Sequence, residues 1–442
     1  MAGTRERGFF ELYRDDPERA DAIVFGRRAG VGRRGFLQGA GLTALSAAVG
    51  GMIPFAHNLP SGFIPAAFAQ AAAAGPKPLK MDGKAEIMVI QERPLNAETP
   101  EHMLDDDVTP NAKFFIRNNG LPPDVPADPK AWKFKIDGEV NTPLELAMGE
   151  LESRFPVVSL KLQLECGGNG RSFFSPETRG NQWGNGAVGC AEWTGVRLRD
   201  LLQAAGVKPS AVYTGHYGAD VHLSGNPQQV VISRGMRLAK AMDEDTLIAV
   251  RMNGQAIPHI NGGPVRLVVP GWPGSLSQKW LSRIWVRDKE HDGSGMGGFS
   301  YRTMKTPMVP GGKADEKDTQ ILESMPVRSI ISNPANGTEL ADGTRQLSLR
   351  GAAWAGDKSV QAVHVSTDFG ASWQPTRLSA PANRHAWQRW TATVNLPSAG
   401  YYEIWSRATD ADGKMQPHVA GGWNPQGYGG NPFHRVAVLV KA

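Results

Sequence analysis

The pattern of side chains changes near residue 320, and this change requires two different architectures in one chain. From residue 325 to residue 442, short β-branched and aromatic runs recur about every ten residues, separated by Gly, Asp and Pro and almost without helical period. Such spacing is typical of an antiparallel, immunoglobulin-like sandwich. Segment 363–373 predicts a hairpin with an Asp-x-Gly turn. We therefore predict an all-β, immunoglobulin-like domain over residues 320–442.

The preceding region mixes strand and helix patterns. Aromatic and β-branched runs predict strands over 114–116, 132–136, 157–164, 247–252 and 265–269. Apolar residues at helical spacing predict helices over 144–155, 196–205 and 237–242. Gly206 supplies a stop signal for the second helix. We therefore predict a mixed domain over residues 85–310, a linker over 307–317, and an α+β fold class for the chain.

The first 69 residues have the layout of an export signal. Arg33 and Arg34 stand directly before an apolar stretch over residues 39–52, and the small-residue site Ala67-Phe68-Ala69 follows. Paired arginines in this context are typical of the twin-arginine pathway, which carries folded proteins. The sequence predicts a signal region over residues 1–69 and a periplasmic location. The apolar stretch is too short for a membrane span, so we expect no stable membrane insertion.

Charge and cysteine content limit the classes of partner. The leader holds 8 basic and 6 acidic residues, which leaves 40 basic and 37 acidic residues in the rest of the chain. This near-neutral balance argues against nucleic acid as a partner, while its small positive excess suits an anionic substrate. The chain has 2 cysteines and no Cys-x-x-Cys-His motif, so we expect no covalent haem in it. Any haem partner must be a separate protein.

Cys166 stands at the end of a predicted strand and opens a glycine-rich loop that runs to Arg171. A thiolate with a nearby guanidinium suits a metal that handles an oxyanion. Three further interpretations compete with this one. Cys166 is a buried apolar residue or forms a disulfide with Cys190, or it is the nucleophile of a hydrolase with His216 or His259 as its base. The loop lacks the spacing of a nucleotide-binding motif.

Several dispersed motifs follow one another in the order of the sulfite oxidase family, and the chain resembles that family over both predicted domains. The motifs are Glu165-Cys166-Gly167-Gly168-Asn169-Gly170-Arg171, Asn181-Gln182-Trp183, Ala191-Glu192-Trp193-Thr194-Gly195, Tyr217-Gly218-Ala219-Asp220, Asn253-Gly254-Gln255, Gly263-Pro264-Val265-Arg266, Lys279-Trp280-Leu281, Ser366-Thr367-Asp368 and His434-Arg435-Val436. The amino-acid sequences of the first two motifs are most similar to those in periplasmic bacterial sulfite dehydrogenases.

The resemblance implies a molybdenum-pyranopterin (molybdopterin) cofactor, with Cys166 as the thiolate ligand of the metal. Sulfur ligands suit a metal that changes its oxidation state. Arg117 and Arg171 correspond to substrate arginines, Tyr301 to an active-site tyrosine, and Trp183 either to a wall of the pocket or to a tryptophan of the core. The cofactor contacts implied by position are Asn118, Asn119, Cys166, Asp220, Asn261, Arg266, Ser277, Gln278 and Lys279. Asn119 and Asn261 replace histidines of the animal enzymes, and Gln426 replaces an arginine.

The implied activity is oxidation of sulfite to sulfate by oxygen-atom transfer, with electrons passed to a cytochrome c or a dedicated haem subunit. The resemblance also implies a homodimer that pairs through the C-terminal domain. Arg171 favours free sulfite over the substrate of the related sulfane dehydrogenase subunits. Two competing functions are a methionine sulfoxide reductase of the same superfamily and a non-catalytic binding module in which Cys166 and Cys190 are disulfide-bonded.

Overall fold

Strands dominate the described part of the protein. The structure, a computed structural model, describes residues 77–441, and the predicted signal region 1–69 lies outside them. These residues form 23 strands and three short α-helices, so the α+β prediction overstated the share of helix. Within the same range, no helix has both the length and the apolar character needed to cross a membrane.

The first twelve strands precede residue 290. They are β1 (Met88–Gln91), β2 (Asn96–Glu98), β3 (Lys133–Gly138), β4 (Leu144–Ala147), β5 (Val157–Glu165), β6 (Val188–Arg197), β7 (Tyr213–Gly218), β8 (Ser233–Arg237), β9 (Leu247–Met252), β10 (Gln255–Ala256), β11 (Arg266–Val268) and β12 (Leu281–Arg287). Sheet A has the order β10-β9-β6-β5 with β11 beside β9, and sheet B has the order β4-β3-β12-β7-β8. Strands β1 and β2 form a separate hairpin.

The remaining eleven strands belong to a small hairpin and a two-sheet sandwich. They are β13 (Arg302–Met304), β14 (Thr319–Ile321), β15 (Arg328–Asn333), β16 (Thr338–Leu340), β17 (Gln346–Trp354), β18 (Val360–Ser366), β19 (Gln374–Pro375), β20 (Arg377–Leu378), β21 (Gln388–Asn395), β22 (Gly400–Asp410) and β23 (His434–Val440). One sheet of the sandwich has the order β15-β17-β21-β20 and the other β16-β23-β22-β18-β19. Strands β18 and β19 pair antiparallel and confirm the hairpin predicted over 363–373.

The helices are shorter than their sequence patterns. They are α1 (Met148–Arg154), α2 (Leu198–Ala205) and α3 (Leu238–Ala241). The helix predicted over 144–155 was wrong in its first four residues, which form β4 and pair with β3. A short run cannot separate helical from strand spacing, and edge pairing in sheet B decides its conformation. Helix α2 buries Leu198, Leu201, Leu202 and Ala205 and ends before Gly206 at φ 65°, as predicted.

Two further predictions need correction. In segment 114–116 only Ile116 pairs, in an isolated bridge with Ala97, because Phe114 donates its N–H back to Pro110 in a turn. The aromatic run there reflects burial, since Phe114 is fully buried and packs edge-on against Trp193. The segment 307–317, predicted as a linker, lies in the loop that joins the paired strands β13 and β14. The domain boundaries at 85–310 and 320–442 stay predictions.

The apolar cores place the cysteine loop. One cluster, which includes Val196, Ile248 and Ile284, lies between sheets A and B. Another includes Cys166 and Trp183 together with residues of β5, β6 and β9 from sheet A. The sandwich encloses a cluster of its own between its two sheets. Cys166, directly after β5, therefore emerges from a rigid sheet, which suits a residue that must hold a fixed position.

Candidate active site

Cys166 follows the last residue of β5 and is 6% exposed. Its loop turns tightly: the N–H of Asn169 donates to the Cys166 carbonyl at 2.9 Å, and that of Arg171 to the Gly168 carbonyl at 3.0 Å. A Cβ at Gly168 would overlap the Arg171 guanidinium, and one at Gly167 would lie 3.3 Å from Cδ1 of Tyr301. The loop glycines thus make room for this protein's own side chains.

Cys190 has a different environment. Both cysteines are free thiols. Cys190 lies within β6 opposite Gln163 and packs against Leu104 and Trp387, in a different apolar cluster from that of Cys166. Burial raises the pKa of its thiol to about 12. The structure therefore gives no support to the disulfide-bonded binding module, and it fits a structural role for Cys190.

Cys166 opens onto a polar cavity, and ten of the thirteen predicted site residues line it. They are Arg117, Asn118, Asn119, Cys166, Asp220, Arg266, Ser277, Gln278, Lys279 and Tyr301. The cavity wall also contains Phe114, Phe115, Ile232, Gly274, Ser275 and Trp280. Segments that are far apart in sequence therefore converge beside one thiol.

Three predicted residues lie behind this wall. Trp183 is fully buried in the apolar cluster around Cys166. Asn261 accepts from Lys84 Nζ at 2.8 Å and donates to the Phe115 carbonyl at 3.1 Å, so it supports the wall from outside. Arg171 donates from Nε to the Gln426 carbonyl at 2.7 Å and from Nη1 to the Asn181 carbonyl at 2.8 Å. None of the three lines the cavity, so the structure does not place Arg171 and Trp183 where the substrate-binding roles predicted for them require.

Arg117 lines the same cavity as Cys166 and Tyr301. Its Nη2 donates to Asn119 Oδ1 at 2.6 Å, and its Nη1 contacts the Asn118 carbonyl. Burial opposes the charge of this guanidinium, but the neighbouring Tyr301 and Cys166 side chains outweigh it and raise the pKa of Arg117. Arg117 therefore presents a permanent positive charge beside the thiol.

Three further cations surround the cavity with little negative charge to balance them. Lys279 Nζ donates to Asn118 Oδ1 at 2.6 Å, and Arg266 Nη1 to the Asn261 carbonyl at 2.7 Å. Lys84, which the sequence analysis missed, donates to two backbone carbonyls besides Asn261. Within residues 77–441 no salt bridge involves Lys84, Arg266 or Lys279, and Asp220 is the one carboxylate on the cavity wall.

Burial and repulsion among these positive charges shift the pKa values of the side chains around the cavity. Burial, followed by repulsion from Arg266, Lys84 and Arg117, lowers the pKa of Lys279 well below its ordinary value. Burial and then Arg266 lower the pKa of Lys84 to about 7. Burial raises the pKa of Asp220 to about 6 although Lys279 opposes the shift. A cavity of this kind favours an anion.

The donor set fits a molybdenum-pyranopterin group. A free thiol supplies the soft ligand, and the cations provide the charge that a phosphate needs. Two buried polar atoms of lining residues, Ser275 Oγ and Gln278 Oε1, have no hydrogen-bond partner within residues 77–441. Buried polar atoms are normally paired, so these two suit contacts with a polar ligand.

Comparisons with known proteins agree with this geometry. Residues 122–294 match the oxidoreductase molybdopterin binding domain, and residues 319–441 match the Mo-co oxidoreductase dimerisation domain. Chicken sulfite oxidase is 35% identical over 367 residues, covering 79% of this chain and 77% of that protein. The chain belongs to the sulfite oxidase family. Human mitochondrial sulfite oxidase is 33% identical over 371 residues, covering 80% of this chain and 66% of that protein.

A solved structure of the same family has a similar fold. The sulfane dehydrogenase SoxCD of Paracoccus pantotrophus matches with a TM-score of 0.66 and 27% identity, over 88% of this chain and 95% of that one. Membership in the sulfite oxidase family confirms the resemblance inferred from the cysteine motif. The chain is thus a molybdenum oxidoreductase of the sulfite oxidase type, with a molybdopterin-binding domain.

Away from the cavity, Asp243, Asp245 and His385 form a group that could also bind a metal ion. Their carboxylate oxygens and imidazole nitrogens lie within 4.8 Å of one another. Its members already have ionic partners: Arg384 pairs with Asp243 at 2.7 Å, and His385 Nδ1 with Asp245 at 2.8 Å. The group joins the two halves of the chain, and we assign it to their interface.

Proposed function

We propose that the protein is an exported molybdenum sulfite dehydrogenase that oxidises sulfite to sulfate and passes electrons to a cytochrome c. The observation that carries the proposal is the convergence of Cys166, Arg117 and Tyr301 on one basic cavity. Export to the periplasm is supported by the arginine pair Arg33-Arg34 and the apolar stretch after it. Folded export suits a protein that acquires its cofactor before translocation.

The residues of the cavity divide into two groups in this proposal. Cys166 would bind molybdenum, and the cofactor's phosphate and pterin groups would contact Arg266, Lys279 and the polar side chains beside them. The cofactor, when bound, supplies the oxygen transfer and accepts two electrons. Sulfite and water together yield sulfate, two protons and those two electrons, which leave singly to a haem protein.

Arg117 and Tyr301 act on the substrate. The guanidinium of Arg117 attracts the dianion and orients it by paired N–H donors, and its charge is permanent because an arginine stays protonated at physiological pH. The Tyr301 phenol supplies a further donor from the same wall. Tyr301 is only 7% exposed, and the exclusion of water around its ring strengthens these contacts.

Sulfane oxidation is the second candidate, because SoxCD matches the fold over most of both chains. The resemblance links Arg171 to free sulfite, but its guanidinium donates to the Gln426 and Asn181 carbonyls and does not line the cavity, so the comparison of substrates below decides between the two. We further infer a homodimer that forms through an immunoglobulin-like C-terminal domain. The two-sheet sandwich and the match to a dimerisation domain support this inference, and light scattering of the mature protein tests it.

The deciding experiment is metal analysis of the exported protein combined with sulfite-dependent reduction of cytochrome c or ferricyanide. We expect one molybdenum per chain and turnover with sulfite that exceeds turnover with sulfane substrates, nitrate or methionine sulfoxide. A molybdenum-loaded protein that prefers one of those substrates would overturn the proposed substrate. Exported, folded protein that never contains molybdenum would overturn the proposed function.

A further inference from the structure

A fully buried arginine lies beside the proposed active site without an acidic partner. Arg234, in strand β8, is 0% exposed. Its Nη1 donates to the Gly295 carbonyl at 2.6 Å and contacts Met296 Sδ at 3.2 Å, while Nε and Nη2 have no hydrogen-bond partner among the described residues. No salt bridge involves it anywhere in residues 77–441. A buried charge of this kind needs another source of compensation.

The compensating group is an aromatic ring. The Arg234 guanidinium carbon lies 4.5 Å from the centroid of the Tyr301 ring, within the range of a cation–π contact. Burial lowers the pKa of Arg234, and Tyr301 is the first of the groups that raise it again. The side chain that carries the reactive phenol therefore has a cation on one face.

The other face of the ring is occupied by a second tyrosine. Tyr428 stacks on Tyr301 with centroids 4.8 Å apart and ring planes 22° apart. Because a stacked ring occupies one face, Arg234 must lie over the opposite one. The Arg171 guanidinium in turn lies 5.1 Å from the Tyr428 centroid. The four side chains Arg234, Tyr301, Tyr428 and Arg171 form an arginine-tyrosine stack that involves both halves of the chain.

The arginine-tyrosine stack packs directly against the cysteine loop. A Cβ at Gly167, next to Cys166, would lie 3.3 Å from Tyr301 Cδ1 and 3.6 Å from Tyr428 Cδ1. The N–H of Gly429 donates to the Gly167 carbonyl at 3.0 Å. Displacement of either ring would therefore change the packing of the loop next to the Cys166 thiol.

Tyr301 needs such support, because its own backbone does not favour its position. Its φ is 50°, a region that residues with a side chain rarely adopt and that surrounding structure must hold in place. Gly297 and Gly298, shortly before it, restrict the chain little. Side-chain contacts must then fix the ring.

We propose that Arg234 is a positioning residue of the active site, which clamps the Tyr301 ring against Tyr428 and so fixes its hydroxyl toward the substrate. The kinetic consequence rests on the proposed function. The clamp itself is a property of the fold and can be measured without turnover.

The kinetic test is a double-mutant cycle in molybdenum-loaded protein. Arg234→Met should lower kcat/KM for sulfite by between about tenfold and a hundredfold, because small misplacement of a reacting group has effects of this size. Arg234→Lys should recover most of the loss, since an ammonium keeps the cation–π contact. In a Tyr301→Phe background, which lacks the hydroxyl, Arg234→Met should have no further effect. Additive losses would overturn the proposal.

The second test uses thermal unfolding of the same preparations. Arg234→Met and Tyr301→Leu should each lower Tm, and the double variant should lose less than the sum of the two. Independent losses would again overturn the clamp. If Arg234→Met does not fold, Tyr428→Leu tests the stack from its other side, with the same expected dependence on the Tyr301 hydroxyl.

A matched control is Arg407→Met. The Arg407 guanidinium lies 3.8 Å from the Trp373 ring in the C-terminal sandwich, so this change removes a similar contact far along the chain. It should leave kcat/KM unchanged and show no coupling to Tyr301. Absence of sulfite turnover in loaded wild-type protein, with coupling still present in Tm, would overturn the proposed function and leave the clamp standing.

Discussion

The two buried charged regions of this protein follow opposite rules. Around the cavity, Lys84, Arg266 and Lys279 lie close together without a salt bridge. At the interface between the two halves, by contrast, three buried charged side chains have partners of opposite charge. Arg328 Nε lies 3.0 Å from Glu165 Oε1, Lys240 Nζ lies 2.6 Å from Asp357 Oδ1, and His385 Nδ1 lies 2.8 Å from Asp245 Oδ2.

The paired charges at the interface stabilise the fold, whereas the unpaired cations around the cavity are suited to binding an anionic ligand. A buried charge without a partner costs free energy, so a cluster of them is expected where an anion supplies the compensation. Paired charges at an interface instead fix how two surfaces meet. The contrast is sharpest at two neighbours in sequence, because Glu165 belongs to the paired region and Cys166 to the cavity.

The largest expected effect is on Cys166 itself. Cys166→Ser should lower sulfite oxidation by at least about a hundredfold, since even indirect partners of a metal affect activity by up to that factor. Its Tm should stay close to that of the wild type, because the change removes no paired charge. Steady-state kinetics and calorimetry measure the two effects.

The control is Cys190→Ser, in the core between β6 and the sandwich. It should lower stability while activity per molybdenum stays the same. Full activity in Cys166→Ser would contradict the assignment of the metal ligand.

The next largest effect concerns the ion pair between Arg328 and Glu165, the residue directly before Cys166. Arg328→Met should lower the free energy of unfolding by about 3–5 kcal/mol, because it leaves the Glu165 carboxylate buried and unpaired. Burial already raises the pKa of Glu165 and lowers that of Arg328 despite the ion pair. The double variant Glu165→Gln with Arg328→Met should therefore recover part of the loss in urea unfolding. A double variant less stable than Arg328→Met would contradict this account.

Smaller effects are expected when a lysine of the cavity, Lys279, and a lysine of the interface, Lys240, are replaced in turn. Lys279→Met should lower bound molybdenum by about tenfold without lowering the unfolding free energy of the metal-free protein, because burial and the neighbouring cations make the Lys279 charge unfavourable and it forms no salt bridge within residues 77–441. Lys240→Met should do the reverse: it breaks the pair with Asp357 and lowers stability, while bound molybdenum stays the same. If both variants lose stability to the same extent, the two regions do not differ in the way proposed here.

Sequence predicts the parts of this molecule that are local. Cys166 was found because it ends a strand and begins a glycine-rich motif, and the segment Ser277-Gln278-Lys279 because it belongs to a recognisable motif. Strands β5 and β9 follow from long runs of one pattern. The helix predicted over 144–155 was wrong at its start because pairing with β3, a tertiary contact, outweighed its apolar spacing.

Long-range contacts explain what sequence did not predict. Lys84 lies 177 positions from Asn261, its hydrogen-bond partner, and no motif joins them. Arg234, Tyr301 and Tyr428 come from three separate segments and meet only in the folded chain. Trp183 was predicted as a wall of the cavity and lies behind it, because sequence gives the burial of a tryptophan but not the direction in which it packs.

The smallest effect is on pH dependence, and its sign differs between the two regions. Lys84 has a pKa of about 7 in the folded protein, lowered by burial, against an ordinary value of 10.5. Between these values the unfolded chain binds more protons, so the metal-free protein should gain stability as pH rises from 7 toward 10.5. The slope should be at most about 1 kcal/mol per pH unit, because this lysine is partly exposed.

Asp357, at the interface, should behave in the opposite direction. Burial works against its charge, but His385 and Lys240 hold the pKa of its carboxyl below its ordinary value of 3.8. Its contribution to stability is therefore present above that value and lost as pH falls below it. Urea unfolding across pH, with Lys84→Met and Asp357→Asn, separates the two: Lys84→Met should reduce the rise above pH 7, and Asp357→Asn should reduce the loss at acid pH. Because the lowered pKa of Lys279 gives a rise of the same sign, part of the rise should remain in Lys84→Met. A Lys84→Met protein with the full wild-type rise would show that Lys84 does not carry the cost assigned to it.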